Sequence, residues 1–127
     1  MDKVAIVTGA AGALGSAISQ QLGALGYRVV VNYHRNQAGA EKTAQDISSK
    51  GPGQAMACKA DIRNFAEVQA MVDLAVKKFG RLDLMVWNAG GSLGMINRSG
   101  KEKLLLEHDA AEWDLVIETN MKGAFNL

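Results

Sequence analysis

Cysteine and proline are nearly absent from the chain, whose 127 residues include one of each. The single cysteine, Cys58, excludes an internal disulfide and a cysteine-based metal site, so we predict no metal site and expect a reducing, cytoplasmic setting. Cys58 lies in an apolar stretch, which favours a buried strand residue over a reactive thiol. Because 48% of the residues are hydrophobic and proline is rare, we expect one compact domain and exclude a disordered chain.

A surplus of charge of either sign is also lacking. Basic and acidic side chains nearly balance, with a net charge of +1, and the basic ones are scattered along the chain. This distribution argues against nucleic acid and anionic membrane surfaces as partners. Residues 4–27 carry no charge, but glycines, serines and glutamines interrupt that stretch. We therefore expect neither a membrane span nor a signal peptide.

Short apolar runs alternate with amphipathic segments along the chain. The apolar runs predict strands over residues 4–8, 29–31, 54–59 and 82–87. Apolar residues at helical spacing predict helices over residues 14–25, 38–50, 65–79 and 110–118, with another helix beginning at residue 119. Residues 92–109 carry mixed signals, which we interpret as a long functional loop.

Two of the helices have a definite predicted apolar face. That of the first helix consists of Leu14, Ile18, Leu22 and Leu25. That of the third consists of Phe65, Val68, Val72, Val76 and Phe79. The third helix is also preceded by Asn64 and Glu67 at the spacing of a capping box, which predicts where it begins.

The alternation of strands and helices predicts an α/β fold with a Rossmann-type parallel sheet. Helices should cover both faces, and the expected strand order is 3-2-1-4. No repeat or linker-like shift in composition divides the chain, so residues 1–127 are interpreted as one dinucleotide-binding Rossmann domain. The final segment has no stop signal, and we expect the domain to be incomplete at its C-terminal end.

A glycine-rich turn joins the first strand to the first helix. In this position a tight backbone turn brings a pyrophosphate against the free amides of a helix N-terminus. The candidate phosphate-binding residues are Gly9, Ala11, Gly12, Leu14 and Gly15. A turn needed only for packing, or one from another nucleotide-binding family, is the alternative.

The turn resembles that of the short-chain dehydrogenases/reductases, which reads Thr-Gly-x-x-x-Gly-x-Gly. The match holds at Thr8, Gly9 and Gly15, whereas Ala13 stands at the middle glycine and Gly12 lies one place earlier. Three further motifs occur in the family's order: Asp61-Ile62, Asn88-Ala89-Gly90, and Asn120 before Gly123. The resemblance covers the first nine-tenths of the chain and includes NADPH-dependent members like the 3-oxoacyl-carrier-protein reductases.

The resemblance implies a role for each motif. Asp61 would bind the adenine amino group, and Ile62 would lie near the adenine ring. Asn88, Ala89 and Gly90 would steady the sheet and touch the cofactor ribose. Asn120, the one catalytic residue of the family found here, would shape its helix and hold a water that passes protons. The alternatives are a helix cap for Asp61 or Asn120 and a turn residue for Asn88.

The end of the second strand bears on which nicotinamide cofactor binds. Enzymes that prefer NAD carry a carboxylate there, which binds the adenosine ribose and repels a 2′-phosphate. This chain has none, and instead has His34 and Arg35, whose guanidinium suits a phosphate. The sequence therefore favours NADP(H) over NAD. A solvated turn is the alternative.

The family's catalytic tyrosine, followed by a lysine four residues later, has no counterpart in these residues. The two tyrosines, Tyr27 and Tyr33, are followed at that distance by Val31 and Gln37. The resemblance thus implies the NADP(H)-binding part of an oxidoreductase that transfers hydride between nicotinamide and a carbonyl or alcohol substrate, inactive as this chain alone.

Two other functions compete with this hypothesis. A non-catalytic dinucleotide-binding sensor or regulatory module would need no catalytic acid. A methyltransferase on a similar sheet would explain the glycine-rich turn but not the motifs at Asn88 and Asn120. The resemblance also implies that the fourth strand has an edge which the next strand of the family would cover, so self-association is a further expectation.

Overall fold

The computed structural model describes residues 2–91, 104 and 107–127. Four parallel strands form one sheet in the order β3-β2-β1-β4, which confirms the predicted Rossmann-type α/β fold. The strands are β1 (Val4–Val7), β2 (Arg28–Tyr33), β3 (Gln54–Lys59) and β4 (Leu84–Val86). The helices between them are α1 (Ala13–Ala24), α2 (Gln37–Lys50) and α3 (Phe65–Phe79).

A helical rod follows the sheet near the end of the chain. It consists of α4 (Ala110–Ile117), a π-helical segment (Glu118–Lys122) and α5 (Gly123–Asn126). The predicted break near residue 119 is wrong, because the three segments continue one another directly. Of the predicted loop 92–109, residues 92–103, 105 and 106 lie outside the described residues. Within the described part, no helix has the length and apolar character that a membrane crossing requires.

The core lies on both faces of the sheet. On one face Val29 and Val31 of β2 pack in a cluster with Ile47 of α2. On the other, Ile6 of β1 and Val30 of β2 share a cluster with Met71 of α3. Successive strand residues point to opposite faces, which is why the central strands are apolar at nearly every position.

The apolar face predicted for α1 is wrong in part. Leu14 and Leu25 are 68% and 75% exposed, and the buried residues are Gly15, Ser19 and Gly23. These small residues recur every four positions, so they form one stripe along which α1 approaches the sheet and α2 closely. The buried Ser19 hydroxyl is satisfied because it donates to the Gly15 carbonyl at 2.8 Å.

The face predicted for α3 is also shifted. Phe65 and Val76 are 61% and 43% exposed, whereas Val68, Met71 and Ala75 are buried. The stripe at positions 68, 71 and 75 has the same helical spacing as the predicted one, so periodicity alone did not separate them. The stripe that is buried is the one whose residues pack against β1 and β2.

The start of α3 keeps one half of the predicted capping box. The Asn64 side chain accepts hydrogen bonds from the Ala66 and Glu67 amides. The Glu67 carboxylate, however, accepts from the Asp61 amide at 2.7 Å and from the Asn64 side chain at 3.3 Å, while the Asn64 backbone amide donates to the Asp61 carbonyl. A complete capping box occurs at α4, where Asp109 and Glu112 exchange the two bonds.

Cys58 lies in a strand, as predicted, but it is only half-buried because β3 is an edge strand. Burial raises the pKa of its thiol. A raised thiol pKa lowers the thiolate fraction at neutral pH and supports a structural role for this cysteine.

Candidate cofactor site

A cavity of about 280 Å³ opens at the carboxyl edge of the sheet. Parallel strands end on the same edge, and a ligand of an open α/β sheet binds where the strand order reverses, here between β1 and β4. Nine of the predicted site residues line this cavity: Gly9, Ala11, Gly12, His34, Arg35, Asp61, Ile62, Ala89 and Gly90. Four others, Leu14, Gly15, Asn88 and Asn120, are not among its lining residues.

The glycine-rich turn is packed tightly on its inner side. Gly9 has φ +62°, and a Cβ there would lie 2.9 Å from the Ala89 Cα atom. A Cβ on Gly15 would collide with the Gly9 carbonyl and lie 2.7 Å from Asn88 Nδ2. Both glycines therefore allow the turn, α1 and the end of β4 to approach one another.

The same turn is open towards the cavity. Gly12 is the N-cap of α1 and provides no side-chain hydrogen bond to it. The nearest atom to a Cβ on Gly12 would be 3.5 Å away, so packing within the fold does not require a glycine at this position. The first amides of α1 have no intrahelical carbonyl to bond, which suits an anion. Ala13, at the family's middle glycine, is simply the first residue of α1.

Asn32 connects the glycine-rich turn to the neighbouring strands. Its side chain is 2% exposed, and its Oδ1 accepts a hydrogen bond from the Gly9 amide at 3.2 Å. Its Nδ2 donates to the carbonyls of Ala60 and Cys58 at 3.1 and 3.3 Å. Sequence reasoning missed this residue, although a polar side chain directly after three valines was a usable signal.

The loop after β2 supplies a cation and hydrogen-bond donors to the cavity. His34 and Arg35 both line it, which argues against a purely solvated turn. Asn36, which was not predicted, also lines it and caps α2, since its Oδ1 accepts from the Gly39 amide at 3.0 Å. Its Nδ2 donates to the Ala11 carbonyl at 3.4 Å, which joins this loop to the glycine-rich turn.

Asp61 forms an ion pair with Arg63, a residue that sequence reasoning missed. Arg63 Nη2 lies 2.7 Å from Asp61 Oδ2, and the side chains are 27% and 19% exposed. The hydrogen bond from the Arg63 side chain lowers the pKa of the Asp61 carboxyl, whereas burial of the carboxyl raises it. His34 Nε2 lies 3.7 Å from the same Oδ2. The helix-cap alternative for Asp61 is wrong, because Asn64 caps α3.

Ile62 fixes the loop after β3 against the helical rod. It is 5% exposed, and its carbonyl accepts a hydrogen bond from Asn126 Nδ2 at 2.9 Å. A Cβ on Gly123 would lie 2.7 Å from Ile62 Cδ1, so the glycine allows the rod to sit close to this loop. The cavity wall at Asp61 and Ile62 is thus held from the C-terminal side.

Asn88 ties the end of β4 to β1. Its Nδ2 donates to the carbonyls of Thr8 and Gly9 at 3.1 and 3.2 Å. The Thr8 hydroxyl accepts from the amides of Asn88 and Ala89 at 3.0 and 3.1 Å, and it donates to the Val86 carbonyl. Asn88 therefore steadies the sheet behind the cavity, while Ala89 and Gly90 form its surface.

Asn120 lies in the π-helical segment and is not a helix cap, since the cap of α4 is Asp109. Its Oδ1 accepts from the Gly91 amide at 2.9 Å, and its Nδ2 donates to the Gly91 carbonyl at 2.8 Å. It therefore fastens the segment after β4 to the rod. The adjacent Thr119, not predicted, lines the cavity. Single π-helical turns are frequent at functional sites.

Curated proteins of similar sequence are reductases and dehydrogenases. The chain is 40% identical over 126 residues to a 3-oxoacyl-(acyl-carrier-protein) reductase of Staphylococcus aureus, which covers 99% of this chain and 48% of that protein. It is 37% identical to glucose 1-dehydrogenase 2 of Bacillus subtilis, over 97% of this chain and 45% of that protein. The chain thus spans about half the length of the curated relatives it matches.

Solved structures of the same fold agree with this. A structure described as a dehydrogenase from Burkholderia cenocepacia with bound NADP matches 98% of this chain and 45% of its own, with a TM-score of 0.85 and 31% identity. A hydroxysteroid dehydrogenase from Escherichia coli matches 98% of this chain and 48% of its own, with a TM-score of 0.83 and 33% identity.

The family model described as short chain dehydrogenase matches residues 3–127, almost the whole sequence. This match favours the dehydrogenases over the methyltransferase alternative. On the motifs, the strand order and this match together, the chain belongs to the short-chain dehydrogenase family.

Proposed function

We propose that this chain is the NADP(H)-binding part of a cytoplasmic oxidoreductase that transfers hydride between nicotinamide and a carbonyl or alcohol substrate. The observation that carries the proposal is the single cavity wall formed by the glycine-rich turn, the cationic loop after β2 and Asp61. When bound, the nicotinamide supplies or accepts the hydride; the residues described here bind and orient the cofactor. Relatives named as reductases and dehydrogenases do not favour the sensor alternative.

The glycine-rich turn suits the pyrophosphate of the cofactor. The N-terminus of α1 begins at the cavity, and Gly12 leaves space in front of it. Helix amides and the helix dipole favour negative charge at this point. We therefore assign the pyrophosphate to Gly9, Ala11 and Gly12, with Leu14 and Gly15 as the first turn behind them.

The loop after β2 suits a 2′-phosphate. His34 and Arg35 line the cavity, and the first turn of α2 carries no acidic residue that would repel an anion. A guanidinium presents donors in a planar fork that matches phosphate oxygens. NADP(H) is on this basis the preferred cofactor, and a bound NADP in one structural relative supports the assignment.

The proton step of the reaction is the basis for proposing that this chain is inactive by itself. Reduction of a carbonyl needs a proton donor near its oxygen. The 127 residues contain no tyrosine followed four positions later by lysine. Asn120 is held by Gly91 and Val116 and, in this proposal, positions its helix and does not itself react. We propose that the 127-residue chain alone turns over no ketone or alcohol.

Titration of the chain with NADPH and NADH, followed by nicotinamide fluorescence, tests the binding proposal. NADPH is expected to bind more tightly, because the loop after β2 offers charge to the 2′-phosphate and no carboxylate against it. Equal dissociation constants would contradict the phosphate assignment, and no saturable binding of either would overturn the function. Measurable turnover by the same preparation would contradict the proposed lack of activity.

A further inference from the structure

Arg63 forms several hydrogen bonds with the Asp61 carboxylate. Its Nε lies 3.0 and 3.1 Å from the two carboxylate oxygens, and its Nη2 lies 2.7 Å from Oδ2. The Arg63 backbone amide also donates to Oδ1 at 3.0 Å. Side chain and backbone of one residue thus hold both oxygens, which fixes the plane of the carboxylate.

The hydrogen bonds from Arg63 leave part of the Asp61 carboxylate exposed to the cavity. A carboxylate has about four lone-pair positions. Three Arg63 donors make four contacts with the carboxylate, two on each oxygen, because Nε is shared between Oδ1 and Oδ2. His34 Nε2, at 3.7 Å from Oδ2, is too distant for a hydrogen bond. The Asp61 side chain is nevertheless 19% exposed and lines the cavity, so the carboxylate is accessible to a donor from the cavity side.

Among the described residues, titratable side chains approach this pair from three neighbouring segments. His34 approaches Asp61 from the loop after β2. Glu67 of α3 accepts from the Asp61 amide, and Glu118 of the π-helical segment acts electrostatically on Arg63. With acidic groups on both neighbouring helices, Arg63 is the cation that makes direct hydrogen bonds to Asp61 among the described residues.

We propose that Arg63 is a positioning residue for adenine recognition: it orients the Asp61 carboxylate so that one oxygen faces the cavity and accepts a hydrogen bond from the purine amino group. This inference rests on the proposed function, because it places the adenine of the cofactor beside Asp61. It assigns Arg63 no contact with the phosphate groups and separates its role from that of Arg35.

The proposal has a consequence for pH. The hydrogen bond from the Arg63 side chain is the largest cause of the lowered pKa of Asp61, and burial acts in the opposite direction. Without Arg63 the carboxyl pKa should rise, so Asp61 would take up a proton on mild acidification and lose its acceptor strength. The parent chain should keep its adenine contact over the same range.

The test uses Arg63→Gln and Arg63→Lys in the full chain. Carboxyl carbon NMR, with Asp61 assigned through Asp61→Asn, measures its titration without any ligand. Calorimetry with NADP+, which withstands acid better than NADPH, measures Kd from pH 7.5 to 4.5. Titration of the cofactor's 2′-phosphate affects the variant and the parent alike, so it cancels in the ratio of variant Kd to parent Kd at each pH. A second series in a His34→Gln background removes the contribution of the His34 side chain.

Arg81→Gln is the matched control. Arg81 and Asp83 form the same arginine–aspartate pair two residues apart, outside the cavity-lining set. In Arg63→Gln the Kd ratio is expected to rise about 3- to 10-fold between pH 7.5 and 4.5, because a shift of one pKa unit is tenfold in equilibrium. Arg63→Lys keeps the positive charge but lacks the planar guanidinium, so its Kd ratio should rise less than that of Arg63→Gln. Arg81→Gln should leave the ratio flat.

The outcomes separate the inference from the function. An Asp61 titration unchanged in both Arg63 variants, or tighter NADP+ binding by Arg63→Gln, would overturn the positioning role. A raised Asp61 pKa with a flat Kd ratio would overturn the adenine contact while NADP+ binding stands. No saturable binding by the parent would overturn the proposed function and the adenine contact with it, and the NMR titration would still decide whether Arg63 holds Asp61.

Discussion

In the proposed function, single residues on the cavity wall divide into those that contact the cofactor and those that hold the wall in place. Arg35 belongs to the first group, because it lines the cavity in the loop after β2. Asn32 belongs to the second, because its side chain is buried and bonded to Gly9 and Ala60. Substitution of a residue in the first group should therefore change cofactor affinity, whereas substitution in the second should change the free energy of unfolding.

Arg35→Ala should weaken NADP+ binding by about 1 to 3 kcal/mol and barely change NAD+ binding, since the lost interaction is a charge-assisted bond to the 2′-phosphate. Calorimetric titration with both cofactors measures the difference. Lys50→Ala is the control, because Lys50 pairs with Asp46 on α2 and does not line the cavity. Equal losses for the two cofactors would contradict the assignment.

Asn32→Ala should lower the free energy of unfolding by about 1 to 3 kcal/mol, because it leaves the Gly9 amide and the Ala60 carbonyl without their partner. Urea denaturation followed by circular dichroism measures this. Gln69→Ala, which removes an exposed side-chain hydrogen bond on α3, should change little. A loss for Asn32→Ala no larger than for Gln69→Ala would show that the buried network adds no stability.

At the scale of elements, close packing of backbone positions the site. The stripe Gly15, Ser19 and Gly23 brings α1 close to its neighbours, and Gly123 does the same for the helical rod at Ile62. The rod also bonds to the loop after β3 through Asn126 and to the segment after β4 through Asn120. The cavity wall is therefore held by elements from both ends of the chain.

Gly12→Ala and Gly15→Ala form a pair that separates packing from ligand space. A methyl group on Gly15 meets the backbone of Gly9 and Ala10, which cannot move aside, so we expect a loss of about 1 to 3 kcal/mol in unfolding free energy. A methyl group on Gly12 has room in the fold but lies on the cavity wall.

Gly12→Ala should accordingly retain the parent unfolding free energy and bind NADPH more weakly. Thermal denaturation and fluorescence titration of the two variants check both expectations. The assignment of roles would be wrong if Gly15→Ala were as stable as the parent, or if Gly12→Ala bound NADPH as tightly.

For the whole molecule, sheet order determines where ligands bind and where other chains could pair. Strand order 3-2-1-4 places the cavity where the order reverses and makes β4 an edge strand among the described residues. The helical rod also leaves Trp113, Met121 and Phe125 between 57% and 89% exposed. Unpaired strand edges and exposed apolar stripes both favour association.

We therefore expect the 127-residue chain to self-associate as its concentration rises, with an apparent mass above 13.5 kDa. Sedimentation equilibrium over a range of concentrations measures this. Phe125→Glu distinguishes the two surfaces: association through the edge of β4 persists in the variant, whereas association through the rod is weakened. A single species at 13.5 kDa at every concentration would contradict the prediction.

Sequence by itself determined the family, the order of the strands and nine residues of the cavity wall. These features depend on neighbours along the chain: the apolar runs at residues 4–7 and 29–31, and the motifs at Gly9, Asp61 and Asn88. Parallel strands joined by helices must also end on one edge of the sheet, which brings the turns after them together.

Tertiary structure alone decided which faces are buried and how the wall is held. Ser19 and Gly23 are buried in place of Leu14 and Leu25. The reason is that α1 lies so close to α2 and the sheet that only small side chains fit between them. The bonds from Asn32 to Gly9 and from Asn126 to Ile62 join residues 23 and 64 positions apart. Such contacts leave no periodic signal, because they exist only once distant segments have met in space.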